Sequence, residues 1–364
     1  MGNVYTKSGA LARRIYFGAT TVWENLYYFL QKRVLADGGT FVENDVLISD
    51  DGASLILTPN AYKAGKLYSA KPDFGAGDFT VDRNSTATYI DEDGLIKTAL
   101  ANVPRIENGA ILTEPQSTNL YLNSATLATQ NITTTASSYT VSFYGTGTIT
   151  FSGSYVGSLV GAGAAVRVSK TFTATAGTLT STISGQVTEG QCENLTYATS
   201  YISTTTTTET RLKDILKDAG DVNTFNSLEG VLFVEMAALA NDSSKNRYIT
   251  ISDGTDNNRV TLYYNSNNLE ITGWVFIDGA NIFLSAQITQ VDFIKCAIKW
   301  RQNDFAFWVN GVEVVTNTSS NIFPVNTLNT LALYRVGDIF EGKIKQLKVF
   351  KTALTDQQLT DLTT

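Results

Sequence analysis

Between residues 83 and 120 the chain reads RNSTATYIDEDGLIKTALANVPRIENGAILTEPQSTNL, a run of strand-length segments broken at Asp93-Gly94, Pro104, Asn108-Gly109 and Pro115. A glycine in such a pair supplies the positive φ of a tight turn, and proline removes a backbone donor from the ladder. Segments this short have no room for a core of their own. The stretch must dock on its neighbours, and it is expected to form a collar between a short helical N-terminal part and two long strand-rich parts. Only 17% of the residues are charged, and Thr, Ser, Asn and Gly dominate the polar positions. That mix suits sheets with hydroxyl-rich faces better than helices.

Upstream, Thr21-Val22-Trp23-Glu24 has the spacing of a capping box. The helix it opens is expected to reach Ala36 and stop at Asp37-Gly38-Gly39. Trp23, Leu26, Tyr27, Leu30 and Val34 share one face at helical spacing, and Tyr28 and Phe29 widen it. Two readings of that face stand side by side: an oligomer seam or anchor into a larger assembly, and a helix packed on its own domain. Glu24, Gln31, Lys32 and Arg33 interrupt too short a run for a membrane span.

Strands are expected at 40–48 and 54–58, the second ended by Pro59-Asn60, with 62–68 as a linker pinned by aromatics. The acidic turn Asp91-Glu92-Asp93-Gly94 between strands 86–90 and 95–98 reads as solvated, because calcium needs six or more oxygens. From Pro115 to Val166 no side chain is charged. Strands at 139–144, 148–151, 166–172 and 179–183 make a small sandwich. The last part alternates as strands with tight turns, among them Asn310-Gly311, and Thr355-Asp356-Gln357-Gln358 caps a terminal helix. The expected fold is mainly β, in four parts. An N-terminal helix and collar occupy 1–120, a linker 204–225, and between them at 121–203 a small β-sandwich whose closing Tyr197-Ala198-Thr199-Ser200-Tyr201-Ile202 resembles a carbohydrate-binding-module-like insert. An antiparallel jelly roll occupies 226–364.

The chain holds no histidine, the commonest general base and transition-metal ligand. Cys192 and Cys296 are far apart in strand-like contexts and are expected as free thiols. A net charge of −7 without a Lys/Arg cluster argues against nucleic acid and against a polybasic membrane patch. The first residues lack the apolar core of a signal peptide, so a soluble chain made in a cytoplasm is expected. Sugar sites use aromatic platforms with polar groups that orient the ligand. Trp308 leads on that ground, because Phe305, Phe307 and Val309 alternate to the other face; Asn310, Tyr334 and Arg335 complete the glycan-binding candidates. Trp300 reads as core, and the strand carrying Trp274 and Phe276 is apolar on both faces. Asp253, Asp256 and Asn257 form an oxygen-rich loop, read either as a weak calcium site or as a polar turn; no other cofactor is expected. Glu229, Glu235, Glu270, Glu313 and Glu341 are the acids a glycosidase would draw on, but no catalytic strand motif contains them, so enzyme activity is not expected.

The segments 305–314 and 340–355 (FAFWVNGVEV and FEGKIKQLKVFKTALT) resemble the hairpin and closing strand of LamG-like, concanavalin A-type lectin jelly rolls. The first third is similar to a module of bacteriophage fibre proteins of Bacteroidetes-type hosts. The resemblance is carried in order by ADGGT at 36–40, PNAYKAGKLY at 59–68, GDFT at 77–80, STAT at 85–88, NVPR at 102–105 and EPQSTNL at 114–120. It implies a virion appendage (head fibre, tail fibre or spike), usually trimeric, assembled in the host cytoplasm and contacting capsid or tail proteins and host surface glycans. A capsid- or tail-decorating protein without ligand and a polysaccharide depolymerase are the alternatives.

Overall fold

A computed structural model describes residues 22–42, 51–240, 245–266, 270–278, 280–287, 292–318, 321–335 and 337–364. Its spine is the strand Gly342–Phe350, whose last four residues are buried on both faces, as in a strand between two layers. On one side it pairs with Glu229–Ala238, and that strand continues through Ile294–Arg301 and Phe305–Val309 to Val312–Asn317. On the other side it pairs with Leu55–Lys63 and Ala110–Thr113, and the sheet runs on through Lys66–Lys71 and Phe79–Asp82 to Ile215–Lys217. A second, five-stranded sheet packs against this one in the order Ala280–Gln287, Glu270–Ile277, Asn258–Tyr264, Arg247–Ser252, Thr330–Ala332. Ile249, Val260, Val275, Ile298, Phe307 and Leu347 belong to the core between the sheets.

The large sheet buries its other face too. Helix α1 (Val22–Ala36) lays Leu26, Leu30 and Val34 against Ile56, Tyr68 and Phe233, and helix α2 (Asp356–Thr363) adds Leu359. The α1 stripe thus packs on its own chain, the second of the two readings above. Arg33 fastens the helix to the sheet through Asp78 at 2.9 Å and the Ser69 carbonyl at 2.5 Å. Gly38, at φ +70°, ends the helix as expected. Thr21, residues 43–48 of the first expected strand and the side chain of Trp23 lie outside the described residues. Thr355 and Gln358 form the expected reciprocal cap.

Two expectations are corrected here. Pro59-Asn60 does not end its strand, which runs Leu55–Lys63. Its pairing with Lys66–Lys71 slips between Leu57 and Tyr62, and a register slip is where a strand tolerates proline. Nor is 62–68 a linker: Lys63 opposes Lys66 in a hairpin, with Gly65 at φ +80°.

The domain plan changes as a result. Strands expected in a collar, and Ile215–Lys217 of the expected linker, are hydrogen-bonded into the sheet of the last domain. The sandwich is an insertion into that body. One of its sheets orders Gln130–Thr134, Gly177–Ser184, Thr148–Gly153, Gly157–Val160; the other orders Gly163–Ala174, Ser137–Gly145, Thr188–Glu193. Tyr139, Val141, Phe143, Phe151 and Leu179 fill its core. It enters through Ser117–Asn119 and leaves through Glu209–Arg211, and these two strands pair antiparallel, Ser117 opposite Arg211.

A buried ionic cluster closes the junction. Arg83 and Arg105 share Asp214, the former at 2.7 Å, and Arg105 and Arg211 share Glu114. None of these five side chains is more than 4% exposed. Arg83 also donates to the carbonyls of Leu100 and Val103, and the Glu114 amide donates to Asp214. Asp91 caps its own turn through the amides of Asp93 and Leu95 and pairs with Lys97 at 3.3 Å.

Candidate glycan-binding face

Alternation along the five-stranded sheet decides what its outer face carries. Ile249, Val260, Leu262, Ile271 and Val275 point to the core, so Tyr248, Arg259, Tyr263, Trp274 and Phe276 point away from it. The register sets Phe276 opposite Arg259 and Trp274 opposite Thr261. The guanidinium of Arg259 stacks 4.0 Å from the Trp274 ring centre and 4.6 Å from that of Phe276. Arg335 arrives from another strand and lies 5.1 Å from both Tyr248 and Trp274. Each cation sits over the electron-rich face of its ring. The Trp274 indole N–H donates to Asn281 at 3.0 Å, which fixes the ring.

The inner members of this stack are buried, whereas Trp274, Phe276 and Arg335 are partly exposed and Asp256 is exposed. Asp256 accepts from Arg335 Nε at 2.8 Å, and its carbonyl accepts from Arg259. Burial, and after it the charge of Arg335, brings the Arg259 guanidinium down to about 10. Asp253 serves the turn: it accepts from the amide and hydroxyl of Thr255 and from Asn258. Burial raises its carboxyl, and these hydrogen bonds more than offset that, holding it below the usual carboxylate range. Asp253 is thus engaged within its turn and Asp256 with Arg335, and no group of three or more His, Cys, Asp or Glu able to hold a metal ion occurs among the described residues.

Of the sequence-named candidates, Arg335 stands at this face. Tyr334 is next to it on a short strand and leaves on the opposite side, under the ammonium of Lys213 at 5.6 Å. Asn310 is on the other sheet, in an exposed turn at φ +46°, where its side chain accepts from the Lys295 amide at 3.0 Å. Trp308 does point away from the inter-sheet core, as alternation requires, but that side is covered. It is 5% exposed and packs in the cluster that contains Ala297, Ala306 and Leu359 of α2, so it offers no platform. The sequence shows Trp274 and Phe276 but not their partners, because Arg259 and Arg335 reach them only through sheet register. Both cysteines are buried free thiols.

Residues 234–360 match the family model described as the Concanavalin A-like lectin/glucanases superfamily, so a concanavalin A-like jelly roll is present in this chain. No curated protein matches the chain. Among solved structures, it is similar to domain 4 of an extracellular GH43 arabinanase from Geobacillus stearothermophilus, in complex with arabinotriose. That match has 16% identity over 42% of this chain and 73% of the other, with a TM-score of 0.35. It is also similar to the CBM40 of the Ruminococcus gnavus IT-sialidase, at 14% identity over 38% of this chain and 84% of the other, with a TM-score of 0.33.

Proposed function

We propose that this chain is a structural appendage of a bacteriophage virion that adheres to host surface glycans through the outer face of its five-stranded sheet. The observation that carries the glycan reading is the Arg259–Trp274–Arg335 stack. Partly exposed aromatic surface accepts the C–H faces of sugars, and fixed guanidinium donors take their oxygens. The virion reading is supported by the order of short motifs through residue 120. Attachment to the particle runs through the N-terminal region, where α1 leaves Phe29 and Leu35 more than half exposed on its outer side. A homotrimer, several per particle, turns weak single-site affinity into adhesion by raising effective concentration.

The reading is adhesion without turnover. Glu235 pairs with Lys345 at 3.5 Å, Glu341 accepts from Tyr197 at 2.7 Å, and Glu229 accepts from the Ala353 amide at 3.1 Å. These contacts tie three of the five candidate acids to the fold, which supports binding over hydrolysis.

The test is a glycan array with the full chain, since a fragment starting at residue 212 would lose Leu55–Lys63 and Ala110–Thr113, which pair with Gly342–Phe350 on one side. Binding is expected, and Trp274→Ala should abolish the part of it that runs through the sheet face while the melting temperature stays near wild type. A folded chain that binds no glycan supports a decorating role instead, and release of reducing sugar from host capsule would establish a depolymerase. Native mass spectrometry reads the trimer; a monomer at micromolar concentration refutes it.

A further inference from the structure

A cleft of ≈ 240 Å³ opens where the insert meets the body, apart from the Trp274 face. Its walls come from the hairpin Ala87–Ile90/Ile96–Ala99, the outer side of the sandwich, and the Glu107–Lys343 edge of the large sheet. It is smaller than the usual pocket for a drug-sized ligand, the space of one sugar residue rather than a long oligosaccharide.

The walls are held from behind by the ionic cluster. Arg105 donates to the Thr88 carbonyl at 2.9 Å and to the Ser200 hydroxyl at 2.8 Å. Glu114 takes the Ser200 amide at 2.7 Å and its hydroxyl at 2.6 Å. Thr88 reaches the Tyr201 carbonyl at 2.5 Å, and Glu107 accepts from the Ile90 amide at 3.0 Å. Three chain segments are thereby fixed before any ligand arrives, which keeps the ordering cost of binding low.

The lining has donors to spare. The hydroxyls of Tyr89 and Tyr144, both partly buried, make no hydrogen bond among the described residues. Arg167 gives one hydrogen of each terminal nitrogen to the Thr199 carbonyl at 2.6 Å and to Ser142 at 2.8 Å, which leaves each nitrogen a second hydrogen. Glu107 is neutralised by Lys343 at 2.6 Å, and Glu114 by two arginines. The nearby Glu193 is spent on Ser117 and Thr199. Arg167 is in no ion pair among the described residues, whereas behind the cleft the three guanidiniums are matched in number by Glu114, Asp214 and the buried Glu193. Unpaired charge at a half-enclosed site favours an anion that brings its own acceptors.

We infer that this cleft binds a carboxylated sugar residue, its carboxylate received by Arg167 and its hydroxyls by Tyr89, Tyr144 and Glu107. The site is independent of the Trp274 face and completes a second contact surface on the same chain.

The experiment is ligand-observed NMR and calorimetry on the full chain, with the methyl glycosides of glucuronate and galacturonate as probes and those of glucose and galactose as uncharged counterparts. The uronates should bind, weaken as salt rises, and exceed their neutral counterparts by roughly tenfold or more, the scale of a charge-assisted hydrogen bond. Tyr144→Phe removes one unbonded hydroxyl and should weaken binding with the fold intact. Arg167→Gln should abolish it and Arg167→Lys restore part of it. Trp274→Ala should leave it unchanged, which separates this site from the sheet face. Equal binding of charged and neutral glycosides, no uronate binding, or uronate binding lost in Trp274→Ala would each overturn the assignment.

Discussion

Replacing Asp214 by alanine takes away a carboxylate on which two fully buried guanidiniums rely. Arg83 and Arg105 are 0% exposed and Asp214 3%. The substitution also strands the Glu114 amide, which donates to Asp214 at 2.9 Å. Breaking one side of a buried ion pair costs about 3–5 kcal/mol, because the remaining charge stays desolvated without its partner. At roughly 2 °C per kcal/mol for a chain of this size, the melting temperature should fall by about 6–10 °C. Asp214→Asn keeps one acceptor oxygen and should fall by less. The control is Lys97→Ala, which removes a pair whose lysine is 47% exposed and should cost at most about 1 kcal/mol. Urea unfolding followed by tryptophan fluorescence, together with calorimetry, reads all three. If Asp214→Ala is no more damaging than Lys97→Ala, the cluster does not hold the junction and the reasoning fails.

Further outcomes follow from the same geometry. Burial pushes the Glu114 carboxyl up, but Arg211 and Arg105 outweigh it and hold the group well below the usual carboxylate range. Its stabilisation is therefore complete above the unfolded value near ~4.3 and is lost as pH falls through the lower folded value. Melts of Glu114→Gln against wild type should differ most at neutral pH and converge in strong acid; a gap unchanged down to the lowest workable pH would contradict this. Gly230→Ala would drive a Cβ into the Trp300 ring edge and within 2.7 Å of the Phe350 carbonyl oxygen, and should cost about 1–3 kcal/mol by urea titration. Thr355→Ala removes the α2 cap and should cost about 1 kcal/mol, seen as faster hydrogen exchange at the Gln358 amide.

Local chemistry made part of this fold legible in advance. The Asn310-Gly311 hairpin, with φ +46° and +80°, and the reciprocal cap at Thr355 are encoded within four residues. Pairing between distant strands carries no such local signal. Nothing near Leu55 announces that Val349 will be its partner, so strands of one sheet were expected as a separate collar. The ionic cluster was hidden for a related reason. Arg83, Arg105, Glu114, Arg211 and Asp214 are scattered single charges that sequence logic leaves in solvent, and only closure of the junction buries them together. At the sheet face, Arg335 could be named as polar beside an aromatic, but its stacking on Trp274 depends on where two strands far apart in sequence meet.

The insert is joined to the body by two strands that run side by side, Ser117–Asn119 against Glu209–Arg211. A segment whose ends meet places no demand on the distance spanned by whatever lies between them. The doorway at Thr118 and Thr210, whose hydroxyls touch at 2.7 Å, is thus a socket. A different module with neighbouring termini can be seated there while the jelly roll keeps its own strands in place, which would let one scaffold present a new surface by exchanging a single cassette.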